Sequence, residues 1–225
     1  LATVIDDAAA ATGYVFTRPS TRKQAIEALD AIQTAMAKHN FIQPVMRDRW
    51  KDTIGDALEP LPLARDERLR ILTPGEVNGF RARYIDPEKP LYEVGAEIGS
   101  QLIISVGQRM GWDIRLVQTP DHTFVRWYYT PSESLNWDWT AGGPSRDEYY
   151  STQGGDLYRD WPARRRYLRT LPAAYTRATY LLLLSRHLPD TPRKRKILEL
   201  AMQADSTHEQ VQNSLGWLYA TDPAL

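Results

Sequence analysis

Cysteine is absent from this chain of 225 residues. Its absence excludes disulfides, thiolate metal sites and any thiol nucleophile in the molecule as it stands. It does not choose a compartment, because cysteine-free proteins occur in both oxidising and reducing ones. Net charge is absent too: 28 Lys plus Arg balance 28 Asp plus Glu, so no overall field draws the chain toward nucleic acid or anionic lipid. Long apolar runs are missing. The bursts Leu102–Val106 and Tyr180–Leu184 fall far short of the roughly 20 residues of a membrane span. No HxxxH or HxH spacing occurs among the four histidines, so neither a metal site nor a cofactor is expected. Phenylalanine is scarce, four residues against seven Trp and twelve Tyr. The aromatic surface therefore carries polar handles, which suit a half-wet cleft as well as a core.

What is present is an ordinary globular composition, 42% hydrophobic and 25% charged. The chain opens at Leu1, which reads as a processed or trimmed product. The compartment is left open, with a periplasmic or secreted location favoured over a cytoplasmic one. Leu1 to Pro19 is mixed, an apolar start and an alanine run followed by GYVFTRP as a strand or extended arm. Ser20 or Thr21 caps a helix over Arg22 to Lys38, whose Ile26, Leu29, Ile32, Ala35 and Met36 share one face. A second amphipathic helix is expected from Pro44, with Val45, Trp50, Ile54 and Leu58 inward. Leu63 to Pro90 reads as a charged connector in which RARYIDP forms a short strand or extended approach.

Gly95 to Met110 reads as a helix buried on most sides, because Ile98, Leu102, Ile103, Ile104, Val106 and Met110 leave little polar face. Gly99 and Gly107 weaken it by about 1 kcal/mol each, so close packing must compensate. Gly111 is its stop. IRLVQT, HTFVRWYY and LNWDWT then read as an antiparallel meander, an α+β signature. RDEYYSTQGGDLY reads as loop, and the basic run Arg164 to Arg169 as a solvated helix face. Helices starting at Pro172 and Pro192 follow. The last segment has a tetratricopeptide pattern in Ala201, Asp205, Asn213, Leu215, Gly216 and Tyr219, too short for a concave array and expected to dock as a cap.

The chemistry lies in one order of residues: a helix opening at Ala96, then His122, then Asp138 sixteen positions later on the next strand. A thiol site needs a helix N-terminus to favour the thiolate, a histidine to exchange its proton and a polar group to orient the ring. His39, His187 and His208 lack such company and read as surface or packing residues.

These blocks resemble the transglutaminase-like superfamily, the rearranged relatives of papain, and more narrowly its bacterial members that end in a tetratricopeptide segment. Their motif Cys-Asp-x-x-Ser corresponds to Ala96-Glu97-Ile98-Gly99-Ser100. Pro120-Asp121-His122-Thr123-Phe124-Val125-Arg126-Trp127 and Asn136-Trp137-Asp138-Trp139-Thr140 correspond to their histidine and aspartate strands. The resemblance implies an α+β fold with a papain-like core, a buried helix packed on an antiparallel sheet, between N-terminal helices and a tetratricopeptide-like cap. It divides the chain into an N-terminal arm and helical subdomain (1–63), a catalytic core (64–160) and a helical tail (161–225). It implies a cysteine-type peptide or isopeptide hydrolase with Ala96 at the nucleophile position, His122 as acid and base, and Asp138 as orienting group. Tyr92, Ser100, Arg126, Asn136 and Trp137 would support the substrate or the site. Arg126 is expected to pair with an acidic group under the cleft, Asn136 to hold a loop, and Tyr92 or Tyr84 to add to an oxyanion hole. Ser100, one turn further in, is expected to pack or bond the backbone.

Alanine at 96 is the substitution that silences a thiol enzyme while keeping its shape, and an inactive variant is preferred to a natural pseudoenzyme. The expected substrate is a peptide or protein, with cell-wall peptides among the classes to test and hydrolysis preferred to cross-linking. The tail offers a second surface for a protein partner. The rival reading is a silent peptide-binding module using the same cleft and tail, and a third leaves the chain a scaffold.

Overall fold

The computed structural model describes residues 2–13, 18–43, 53–72, 81–119, 122–153, 167–189 and 191–221. The expected helix start at Pro44, the Pro120–Asp121 turn and the Arg164–Arg166 cluster lie outside them. The fold is mixed α and β with a small antiparallel sheet, as expected for the class.

Two helices open the chain, α1 (Ala2–Gly13) and α2 (Arg22–Lys38). The first corrects the expectation of an irregular start: Val4 and Ala8 recur at helical spacing and are buried against the main core. Thr21 caps α2 by accepting from the Gln24 N–H. At its far end Asn40 takes positive φ, and its side chain ties the 86–90 turn through the Asp86, Lys89 and Pro90 carbonyls. That clasp brings β1 (Phe41–Ile42) beside β2 (Tyr92–Glu93) in a short parallel pair. Between them lie α3 (Ile54–Leu58) and α4 (Arg65–Ile71). RARYIDP is not a strand. It forms a 3-10 turn over Ala82–Tyr84, which lets buried Arg81 bond Asp30 and the Gly142 carbonyl.

The chain then enters α5 (Ala96–Met110), with Gly95 as its N-cap and Gly111 as its left-handed C-cap at φ 69°. Nine of its residues are buried, so it is a core helix rather than a surface one. The meander follows as β3 (Asp113–Gln118), β4 (Thr123–Tyr128) and β5 (Ser134–Asp138), and a short β6 (Gly143–Ser145) not foreseen from sequence. All three pairings are antiparallel. Alternation splits the sheet. Ile114, Leu116, Val125, Trp127, Leu135 and Trp137 join the core that contains α5, while Val117 and Phe124 join Tyr150 on the other side. Tyr150 lies on α6 (Asp147–Gln153), where a loop was expected. Arg126 and Asn136 both bond Asp147 at its first residue, which fixes that end of the helix.

Three helices close the chain: α7 (Ala173–Arg186), α8 (Pro192–Ala204) and α9 (Glu209–Thr221). They share a separate apolar cluster including Leu182, Leu198, Ala201, Val211 and Leu215. Leu183, on another side of α7, belongs to the main core. One core thus gathers Val4, Leu29, Ile103, Trp137 and Leu183, crossing the boundaries expected at 63/64 and 160/161. Burial decides this: the apolar face of α2 has α5 and the sheet as its cover.

Candidate active site

Asp138 ends β5 with a side chain only 3% exposed, and five hydrogen bonds converge on its carboxylate. The Oδ1 atom accepts from the Thr140 N–H at 2.8 Å, the Thr140 hydroxyl at 2.7 Å and the Ala141 N–H at 3.2 Å. This is a local aspartate turn, and the Gly142 N–H closes it onto the Asp138 carbonyl. Oδ2 is 2.9 Å from His122 Nε2 and accepts from the Tyr150 hydroxyl at 2.7 Å. Burial pushes the carboxyl up, but the bond and charge of His122, with bonds from Tyr150 and Thr140, outweigh it and bring Asp138 down to about 2.

An ionised carboxylate only accepts, so His122 Nε2 carries the proton toward it and Nδ1 of the neutral ring keeps its lone pair. The ring is 23% exposed, which leaves it reachable from solvent. Its backbone is fixed as well, because the Thr119 N–H and hydroxyl both donate to the His122 carbonyl. His122 thus immediately precedes β4, which begins at Thr123, one residue later than expected.

Tyr150 is the member of this group that sequence reasoning passed over. Its ring stacks on Phe124 at 4.3 Å and lies 5.8 Å from His122, and its hydroxyl is 2.9 Å from Ser145 Oγ. Burial, then the Asp138 charge, pushes its phenol far up, so it remains a neutral donor. The available signal was the spacing in Asp147-Glu148-Tyr149-Tyr150, an acidic first turn before an aromatic pair.

Ala96 is the first residue of α5 and is partly exposed. Trp139, the residue after Asp138, joins this helix end to the aspartate. Its indole N–H donates to the Val94 carbonyl at 2.7 Å, and its ring fills the place where Gly99 has no side chain. A Cβ at Gly99 would lie 2.2 Å from Trp139 Cγ. The close approach that the α5 glycines required is therefore present, and Gly107 packs against Ile114 in the same way.

The other expected residues separate. Arg126 donates to Asn136 Oδ1 at 2.7 Å, to the Leu168 carbonyl at 3.0 Å and to Asp147 at 2.6 Å. Asn136 donates to the same Asp147 oxygen at 2.6 Å, so the pair fixes the segment that carries Tyr150. Trp137 points into the core on the α5 side and donates to Gln33 at 2.8 Å, a packing place rather than a cleft wall. Tyr92 stacks on Phe41 at 5.4 Å, and Tyr84 accepts from Arg83 beneath its own cation. Ser100 is fully buried, and its hydroxyl has no hydrogen-bond partner among the described residues, so of the two expected roles, packing or a backbone bond, it takes packing.

The remaining histidines have structural surroundings. His39 meets Asp7 at 2.9 Å, His187 lies against Gly55, and buried His208 bonds Thr179 and stacks on Tyr175. Among the described residues no group of three His, Asp or Glu could hold a metal ion, and no helix is long and apolar enough to cross a membrane. No family model, curated protein or solved structure matches the chain.

Proposed function

We propose that this chain has the site architecture of a thiol-dependent amide hydrolase of the transglutaminase-like type, with position 96 as the place of the nucleophile. The observation that supports it is the His122–Asp138 pair, an ionised, five-fold bonded carboxylate that leaves His122 Nδ1 available as a base. A structural histidine needs one hydrogen bond and burial, as His208 has. His122 instead combines a tuned partner with an exposed edge.

With a cysteine at position 96, its thiol proton passes to Nδ1 and the thiolate attacks the amide carbonyl carbon. The C–N bond then breaks as the imidazolium protonates the departing amine, and water releases the acid from the thioester. Asp138 holds the imidazolium throughout. The helix N-terminus favours the thiolate, although Glu97 in the same turn opposes it. Peptide and isopeptide bonds, including those of cell-wall peptides, are the substrate class, and water the preferred acceptor. In this reading α8 and α9 form a tetratricopeptide-like cap docked on α7.

Ala96 itself favours a second reading of the molecule as it stands, a peptide-binding module that turns nothing over. One experiment separates the two. The Ala96→Cys chain is alkylated with iodoacetamide across pH and assayed on a fluorogenic peptide amide. A thiol site gives alkylation with an inflection at least one unit below the roughly 8.5 of a free thiol, and His122→Ala removes both that inflection and the hydrolysis. An ordinary thiol pKa unaffected by His122→Ala leaves the binding module.

A further inference from the structure

A cavity of about 340 Å³ lies between the Ser134–Asn136 end of β5 and the start of α6, where the sheet edge is incomplete. The β6 strand pairs with β5 only at Asn136, Trp137 and Asp138. The outer edge of Ser134 and Leu135 has no strand partner among the described residues, and both residues line the cavity. An unpaired edge of this kind accepts an extended peptide through its main-chain groups.

The charges around this notch are unequal in availability. Arg126 and Asp147 satisfy one another, with Asn136 on the same carboxylate oxygen. Glu148 also lines the cavity and already has a partner. Arg22, from the start of α2, and Arg146, just before α6, are exposed cavity-lining cations with no carboxylate partner among the described residues. Two unpaired guanidiniums beside an open strand edge are suited to a carboxylate, which accepts from both in a planar fork.

We propose that this notch binds a carboxylate of an extended peptide laid along the outer edge of β5, with Arg22 and Arg146 as its cations. Asn136, which lines the notch, and Asp138 are two apart on one strand face, roughly 7 Å along β5, and β6 occupies the edge between them, so the peptide runs from Leu135 away from β6. Ser145 lines it and contacts the Tyr150 hydroxyl that holds Asp138. The assignment of a scissile bond near His122 rests on the amidase reading, whereas the binding itself does not.

The chain with Ala96 suits the test because it has no thiol to consume the ligand. Isotope-labelled protein is titrated in NMR with three probes: acetyl-Ala-Ala-Ala as the free acid, the same peptide as its amide, and acetyl-Ala-Glu-Ala amide. At least one carboxylate-bearing peptide is expected to bind fivefold or more tightly than the uncharged amide. Its shifts should fall on the Ser134 and Leu135 amides and the Arg22 and Arg146 side chains. Preference for the free acid identifies a chain terminus as the carboxylate source, and preference for the Glu peptide an acidic side chain. Arg22→Gln and Arg146→Gln should each weaken binding at least threefold with the remaining spectrum unchanged. Equal binding of all three peptides, no binding, or shifts confined to another surface overturns the proposal. Carboxylate binding without hydrolysis by the Ala96→Cys chain defeats the amidase reading alone. Hydrolysis of acid and amide peptides at one rate defeats this subsite alone.

Discussion

On the side of α5 the sheet presents Ile114, Leu116, Val125, Trp127, Leu135 and Trp137 to a helix nearly as apolar. On the other side it presents Phe124, Arg126, Asn136 and Asp138, which meet Tyr150 and Asp147 of α6. The first face is held by shape and area. The second is held by a few directional bonds at charged groups, each of which leaves a buried partner unsatisfied when removed. A packed face tolerates exchange of like for like but not added volume, whereas a bonded face tolerates volume better than loss of a donor. His122 and Asp138 belong to the bonded face, where pKa and orientation are set, whereas Ala96 opens α5 on the packed one.

The comparison is broken most severely from the packed side. Gly99→Ala puts a methyl into the ring of Trp139, whose indole is fixed by Val94. A loss of about 3 kcal/mol in urea unfolding is expected from such overpacking. A change below roughly 0.5 kcal/mol would show that the helix face has room.

The next effect belongs to the bonded face. Asp138 is held at about 2 against an ordinary 3.8, so the unfolded chain binds more protons between those values. Its stabilisation is therefore fully present above about pH 4 and disappears as pH falls toward 2, about 2 kcal/mol in all. Unfolding free energy measured from pH 6 to 2 should show this slope, and Asp138→Asn should remove it. A slope unchanged in that variant would mean that the carboxylate is not what the fold holds.

The smallest effect sharpens the assignment of Tyr150. Tyr150→Phe keeps the stack on Phe124 and removes the donor to Asp138. About 1.5 kcal/mol should be lost, and because the carboxylate has one donor fewer its folded pKa rises, so the acid-linked loss should still begin near pH 4 but be smaller and be complete at a higher pH. Unaltered acid behaviour would leave Tyr150 a packing ring only.

Much of this was readable in the residues. The α5 helix, its Gly111 stop and the three long strands follow from apolar periodicity, and Gly99 and Gly107 signalled close approach before any contact was visible. The helix α1 was missed because Ala8 to Ala11 carry little hydrophobic contrast, so its buried stripe appears only against α2 and α5. The helix α6 was missed because Asp147 to Gln153 is polar and aromatic, and bonds from Arg126 and Asn136 secure its start. Trp137 shared a motif with Asp138, yet strand alternation sends it to the opposite face. Tyr150 was twelve residues from Asp138, on an element that the pattern did not announce.

By itself the sequence determined the chemical vocabulary: no thiol, an alanine opening an apolar helix, a histidine at the head of one strand and an aspartate on the next. These are local properties, set by residue identity and by the periods of helix and strand. The tertiary structure decided which of them meet. It brought His122 and Asp138 to 2.9 Å, put Tyr150 behind the carboxylate and buried Ser100. The physical reason is that desolvation and hydrogen-bond direction fix a pKa and a proton's position, and both depend on groups distant along the chain.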